Sequence, residues 1–180
     1  MNKVNGKRED FAYLREDGSR IVIGYGLKEI NDDLCEWYEV YFYKKQTSSL
    51  SLQMVKDAII ADIDARTEAR ILNGYSFTFD NVKEPTVVWL SRENQTNYSE
   101  AHRIGVVPVT FKINEDENKQ AIYHTFEEFD ELDRFYKGGV AYIRQCLTDG
   151  WQEKDSIDWS PYEELFPKSD NDEETMAMAL

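Results

Sequence analysis

His102 and His124 are the only histidines and Cys35 and Cys146 the only cysteines, so imidazole or thiol chemistry would have to run through four positions. His102 falls on a predicted helix and His124 at the end of a predicted strand, and neither has a carboxylate or cysteine beside it at metal-ligand spacing. Surface or capped imidazoles are expected at both. The cysteines lack CxxC spacing, which predicts buried, incidental thiols in a reducing compartment. Carboxylates are abundant in two clusters, Asp57, Asp62, Asp64, Glu68 and Glu127, Glu128, Asp130, Glu131, Asp133. Both clusters lie mainly on polar faces of predicted helices, which predicts solvated surfaces and not acid–base pairs. Nowhere do acidic residues take calcium-loop spacing around a central glycine. Gly24-Tyr25-Gly26 lacks the third glycine and the following helix that phosphate binding needs, so a bulge or tight bend is expected. No catalytic, cofactor-binding or metal-ligating residue is therefore nominated, and no cofactor is expected.

Composition narrows the partners. The formal charge of −14, from 35 acidic against 21 basic residues, repels a phosphate backbone, so direct nucleic-acid binding is not expected. Residues 1–8 are basic, but no apolar core of a signal peptide follows, and no stretch approaches the length of a membrane span. The expectation is a protein made and kept in the cytosol, with no membrane partner. The sequons Asn94-Gln95-Thr96 and Asn97-Tyr98-Ser99 are then chance matches. With 11 tyrosines and 4 tryptophans, the chain has rings enough for both a core and an adhesive surface, so their placement along the chain must decide.

A length of 180 residues suits one domain or a small pair. Residues 1–45 read as a small antiparallel β module: a strand at 11–14, a hairpin turn through Asp17-Gly18, a strand at 20–27 and a third at 35–43. Trp37, Tyr38, Tyr41, Phe42 and Tyr43 crowd that third strand. Tyr38, Tyr41 and Tyr43 are expected opposite Trp37, Val40 and Phe42, one set packing inward and the other docking a partner. Residues 44–49 fit a linker.

Residues 50–159 read as a second domain, of β-hairpins packed against two main helices, which makes the fold class α+β. The first helix, 51–72, carries Val55, Ala58, Ile59, Ile63 and Ile71 at helical spacing and stops at Asn73-Gly74. Strands at 75–79 and 86–90 flank a turn, and Trp89 is expected in the core beside the long helix. Ser91 is a good N-cap, with Glu93 in the first turn, for a helix to about 103 whose Tyr98, Ala101 and Ile104 share one side. A hairpin of 108–113 and 120–124 turns through the polar 114–119. Thr125-Phe126-Glu127-Glu128 reads as a capping box opening a helix over 126–148, with Phe129, Leu132, Tyr136, Val140, Ile143 and Leu147 as its stripe and Asp149-Gly150 as its end. Gly138-Gly139 within it predicts either close approach of another backbone or a tolerated kink. Residues 160–180 read as a short helix opened by Ser160-Pro161, then an acidic mobile tail whose Met176, Met178 and Leu180 could dock in another subunit's groove.

The order of a helix, Asn73-Gly74-Tyr75-Ser76-Phe77, Trp89-Leu90-Ser91 running into Asn94-Gln95 and Asn97-Tyr98, Pro108-Val109-Thr110-Phe111-Lys112, and Tyr123-His124-Thr125-Phe126 before a long helix is similar to a domain found in tail-fibre and tail-associated proteins of tailed phages and prophages of gut bacteria. The resemblance covers about residues 50–159, and Trp37-Tyr38-Glu39-Val40-Tyr41-Phe42 looks like segments that precede that domain. It implies a non-enzymatic virion component, an attachment or assembly module of a tail or head fibre, made in the host bacterial cytoplasm. The partners implied are tail, portal-proximal or capsid proteins, with a homo-oligomer expected. Interface residues expected on this reading are Trp37, Tyr38, Tyr41, Phe42, Tyr43, Asn94, Gln95, Met176, Met178 and Leu180. The chain lacks the extended repetitive shaft of a complete host-binding fibre. The alternatives from other classes are an acidic inhibitor or DNA mimic, for which −14 is permissive, and a cytosolic fibre-assembly chaperone.

Overall fold

Asp17-Gly18 turns the chain as its composition predicts: Gly18 takes φ +56°, and β2 (Arg15–Asp17) pairs antiparallel with β3 (Arg20–Asn31). The computed structural model describes residues 3–45 and 50–167. Met176, Met178, Leu180, the acidic tail and residues 46–49 of the expected linker lie outside the described residues. The fold is α+β, and the chain divides into two compact units, Met1–Ile63 with Glu153–Leu180, and Asp64–Gln152. The segments expected from sequence are bounded at 45/50 and 159/160, whereas these units are bounded at 63/64 and 152/153, inside helices α1 (Leu52–Leu72) and α3 (Phe129–Asp155).

The first unit holds a four-stranded antiparallel sheet in the order β1-β4-β3-β2, with β1 at Lys3–Gly6 and β4 at Leu34–Tyr43. Cross-strand partners Ile21/Phe42, Ile23/Val40 and Tyr25/Tyr38 share one face. Val55, Ile59 and Ile63 of α1 cover that face, as their spacing of four predicts. Trp37, Glu39 and Tyr41 occupy the opposite face. The expected grouping of Tyr38, Tyr41 and Tyr43 against Trp37, Val40 and Phe42 is therefore wrong: both bulges lie on β3, and β4 alternates strictly by odd and even positions. One bulge is Gly24-Tyr25-Gly26 itself, where Gly26 takes φ +65° and the register shifts after Tyr25.

One N-terminal expectation is corrected. Residues 11–14 are not a strand; they cross over Gly24, where a Cβ would stand 2.5 Å from the Ala12 carbonyl oxygen and 3.0 Å from the Phe11 ring. The polar residues 15–17 pair instead, because the turn at Gly18 sets their register. Lys3–Gly6 forms an edge strand that no alternation in the sequence announced. The short helix α4 (Ser160–Leu165) delivers Tyr162, 1% exposed, whose hydroxyl donates to the Gly24 carbonyl at 2.7 Å. It satisfies β3 beyond the last residue paired with β2, Val22.

In the second unit Gly74, at φ +87°, passes under β6 (Thr86–Val88), where a Cβ would stand 1.8 Å from the Val88 carbonyl oxygen. β5 (Tyr75–Phe77) pairs with β6, and β7 (Val109–Glu115) with β8 (Ala121–Phe126). Trp89 N donates to Ile113 O at 2.9 Å and Asn114 Nδ2 to Val87 O at 2.8 Å, joining the hairpins. Trp89 is half-buried, with Lys112 Nζ 5.7 Å from its ring centre, and is not the expected core residue. Alternation turns Val88 and Leu90 inward, at 0% and 2% exposure, and so turns Trp89 out.

α3 corrects both of its predicted ends. Thr125 and Phe126 belong to β8, opposite Thr110 and Val109, and Thr125 Oγ1 lies 2.8 Å from Thr110 Oγ1. Strand pairing thus takes the residues expected to form a capping box, and the helix starts at Phe129. At the other end Gly150 does not stop the helix, which runs to Asp155 through most of the expected connecting segment. Gly150 is buried against α1, where a Cβ would stand 2.4 Å from Thr67 Oγ1. The buried line of α3 runs through Leu132, Phe135, Gly139, Cys146 and Gly150, while Val140 and Ile143 are half-buried. The close neighbour of Gly138 and Gly139 is the Tyr75 ring, 3.4 Å from a Cβ at either, and not a backbone.

Candidate functional site

From Val88 to Tyr98 an inward-turned strand end becomes a helix start. Ser91 Oγ accepts from Asn94 N at 3.2 Å, which caps α2 (Arg92–Ile104) as predicted. Asn94 Nδ2 donates to Trp89 O at 3.2 Å and Gln95 Nε2 to Leu90 O at 2.6 Å. Both amides, expected at an interface, are turned back onto their own chain. Seven residues after the cap, Tyr98 points into the core at 3% exposure, edge-on to Phe111 and Phe135 with ring centres 5.0 Å and 4.9 Å away.

The Tyr98 hydroxyl is buried without a hydrogen-bond partner. Burial pushes its pKa up to about 12, so it is a neutral donor near pH 7 and not a nucleophile. Tyr98, Tyr75, Leu90, Phe135, Tyr136 and Val140 are among the residues around a cavity of about 240 Å³. The Tyr75 hydroxyl is already committed, donating to Phe135 O. Leaving a buried hydroxyl unpaired costs about 1–3 kcal/mol. The sequence groups Tyr98 with Ala101 and Ile104 on one side of the helix and carries no sign that the Tyr98 hydroxyl is orphaned.

Two histidine–carboxylate pairs flank this region, both drawing their acid from α3. His102 Nε2 lies 2.8 Å from Asp133 Oδ1, and Lys137 Nζ donates to Asp133 Oδ2 at 2.8 Å. The bond from His102, then that from Lys137, holds Asp133 below the usual carboxylate range. His102 also stacks on Tyr136, ring centres 4.2 Å apart. Glu131, 6% exposed, accepts from Asp80 N at 2.8 Å and meets His124 Nε2 at 3.3 Å, while His124 stacks on Phe79 at 3.8 Å. Glu131 is thus no part of a solvated face, and both imidazoles have carboxylate partners that local spacing did not reveal. These arrangements fix rings and strand ends. Among the described residues no three histidine, cysteine or acidic side chains are placed to hold a metal ion.

In the first unit Glu39, 5% exposed, accepts from Arg15 Nη2 at 3.1 and 3.2 Å, Trp37 Nε1 at 3.1 Å and Tyr41 OH at 2.9 Å. Burial alone would raise its pKa, but the bonds from Trp37, Arg15 and Tyr41 together place it below the ordinary range. Of the rings expected to dock a partner, Trp37 is 3% exposed and stands edge-on to Phe11 at 5.9 Å. Tyr38, Tyr41 and Phe42 are half-buried, and Tyr43 alone of that set is open, at 53%. Both faces of β4 are therefore covered largely by the chain's own residues. Cys35 and Cys146 are free, buried thiols.

The open apolar side chains lie elsewhere. Ile104 is 59% and Val106 64% exposed, on either side of Gly105, the left-handed residue that ends α2. Phe129, 37% exposed, lies against Gly105, its ring 3.7 Å from where a Cβ would stand. Periodicity put Phe129 in the apolar stripe of α3 and Ile104 on the side of α2 that carries Tyr98, but as the first and last residues of their helices both stay exposed, and Val106 lies in a loop with no period. Among the described residues no helix is long and apolar enough to cross a membrane. Compared with protein-family models, curated proteins and solved structures, the chain matches none of them.

Proposed function

We propose that the protein is a non-enzymatic structural component of a phage particle, an attachment or assembly module of a tail or head fibre that binds another virion protein. The observation that carries the binding role is the exposure of Ile104 and Val106 on either side of Gly105, with the Phe129 ring against that glycine, because large apolar side chains left open near one another mark a contact. The resemblance over residues 50–159 supports the setting: its residues build the capped junction at Ser91 and the two joined hairpins. Glu131, His102 and His124, and with them the buried Glu39, are engaged in internal bonds that hold the fold. On this reading the protein is made in the host cytoplasm and carried on the virion, by tail, portal-proximal or capsid components or as a homo-oligomer. The DNA-mimic alternative asks for regularly spaced carboxylates along one elongated face. Arg92 beside Glu68, Arg134 beside Asp80 and Arg70 beside Asp149 interrupt the negative surface of the second unit instead.

Quantitative mass spectrometry of purified particles tests the setting, with the protein expected at fixed stoichiometry. Its absence there, with normal levels in the infected cell, would replace this reading with that of an assembly chaperone. Ile104→Asp with Val106→Asp should prevent incorporation at an unchanged thermal midpoint. Normal incorporation of that double variant would move the contact away from this cluster.

A further inference from the structure

The Tyr98 cavity goes beyond a structural role. We propose that it is a binding site for a small neutral aromatic molecule bearing one hydrogen-bond acceptor, which Tyr98 recognises through its hydroxyl. Two independent observations meet here: a cavity of about 240 Å³, and a 3%-exposed side chain on it whose hydroxyl has no partner. Buried hydroxyls are as a rule satisfied, and a ligand acceptor would complete this one.

The wall defines the ligand. Tyr75, Tyr98, Phe135 and Tyr136 contribute rings, Leu90 and Val140 aliphatic surface, and no residue of the wall is an acid, a lysine, an arginine or a histidine. A charged ligand would lose hydration there with no opposite charge to replace it, whereas a neutral ring gains edge and face contacts. The volume exceeds the roughly 150 Å³ of an apolar cavity that holds benzene, so one substituted ring or a compact bicycle fits. The acceptor requirement follows from Tyr98, which holds its proton up to about pH 12 and so donates. Gln95, also on the wall, has its amide nitrogen held by Leu90 O, which fixes α2 against the strand end. The cavity is thus framed by a pinned junction, and binding requires little ordering of it.

The probes are acetophenone, which carries a ring and a carbonyl acceptor, isopropylbenzene of similar size without the acceptor, and benzoate as the charged control. Each is titrated into the full-length chain by protein-observed NMR. Acetophenone should bind saturably, with the largest shifts at Tyr98, Val140 and their neighbours, and benzoate should not. Tyr98→Phe should weaken acetophenone about tenfold, the worth of one hydrogen bond, while isopropylbenzene is unchanged. Val140→Phe should fill the cavity and abolish both, its fold checked by an unchanged amide spectrum away from the site. If that variant does not fold, Ser99→Leu, at a half-buried position of the cavity wall on α2, serves as the second block. The proposal is overturned if acetophenone fails to saturate at millimolar concentration, binds Tyr98→Phe as tightly as wild type, or shifts residues remote from this cavity.

Discussion

Glu39 shows how a single residue can look like chemistry and act as structure. Its carboxylate collects donors from β2 and from two positions of β4, so Arg15, Trp37 and Tyr41 are all oriented by one buried charge. Removing it strands the Trp37 and Tyr41 donors. Glu39→Ala should therefore cost about 2–3 kcal/mol in urea denaturation at pH 7, with little credit for the ion pair itself because Arg15 is 41% exposed. Because the native pKa lies below the unfolded value, the ionised form favours the fold. That stabilisation is complete above the ordinary carboxylate range and disappears as pH falls through the depressed native pKa. The gap between wild type and Glu39→Gln should thus close on acidification; a gap that stays constant from pH 7 to pH 3 contradicts this assignment. Tyr98 has the opposite sign. Its native pKa is raised, so the folded state holds the proton more tightly, and stability present below pH 10 is lost as pH rises towards about 12. Tyr98→Phe removes both the orphaned hydroxyl and this titration. It should leave the protein as stable as wild type or up to about 1 kcal/mol more stable at pH 7, and should flatten the alkaline limb of its stability profile.

At the scale of elements, the patterns with a period were legible and the events without one were not. α1, the Ser91 cap, the Asp17-Gly18 turn, the bulge at Gly26 and the two hairpins of the second unit follow from spacing, capping chemistry and turn residues. What failed was competition between local signals and pairing. Thr125 could cap a helix, but opposite Thr110 it completes a strand, and β8 keeps it. Of the candidate site, the sequence grouped Tyr98 with Ala101 and Ile104 on one side of α2, yet Tyr98 is buried and Ile104 open; the cavity and the orphaned hydroxyl depend on Tyr75, Phe135 and Val140 arriving from distant positions. Gly150 is the sharpest misreading, because a glycine that stops a helix and one that lets helices touch look identical in sequence. The two roles separate in a double-mutant cycle. Gly150→Ala should destabilise the protein, since its methyl group meets Thr67 Oγ1 at 2.4 Å. In a Thr67→Ala background the obstruction is gone, and the same change should stabilise by up to about 1 kcal/mol through helix propensity. Equal effects in both backgrounds would show that the contact with Thr67 does not decide this position.

For the whole molecule the dominant number is the charge of −14, which was legible from composition but whose energetic sign is set by the structure. Salt acts on it in two opposed ways. It weakens exposed ion pairs such as Arg92–Glu68 and Arg103–Glu100, which hold little stability in water, and it also screens the mutual repulsion of the excess carboxylates. Glu39 and Glu131 are buried and bonded, so screening reaches them least. The unfolded chain spreads the same charge over a larger volume, which makes repulsion a cost mainly of the folded state. Because the excess is 35 acidic against 21 basic residues, repulsion should outweigh the lost pairs. Raising sodium chloride from about 10 mM to about 150 mM shortens the Debye length from roughly 30 Å to roughly 8 Å. The thermal midpoint should then rise by about 2–4 °C, corresponding to about 1 kcal/mol for a chain of this size. A midpoint that falls over the same range would mean that the surface ion pairs govern stability, and that the negative field is already balanced locally by the arginines set among the carboxylates.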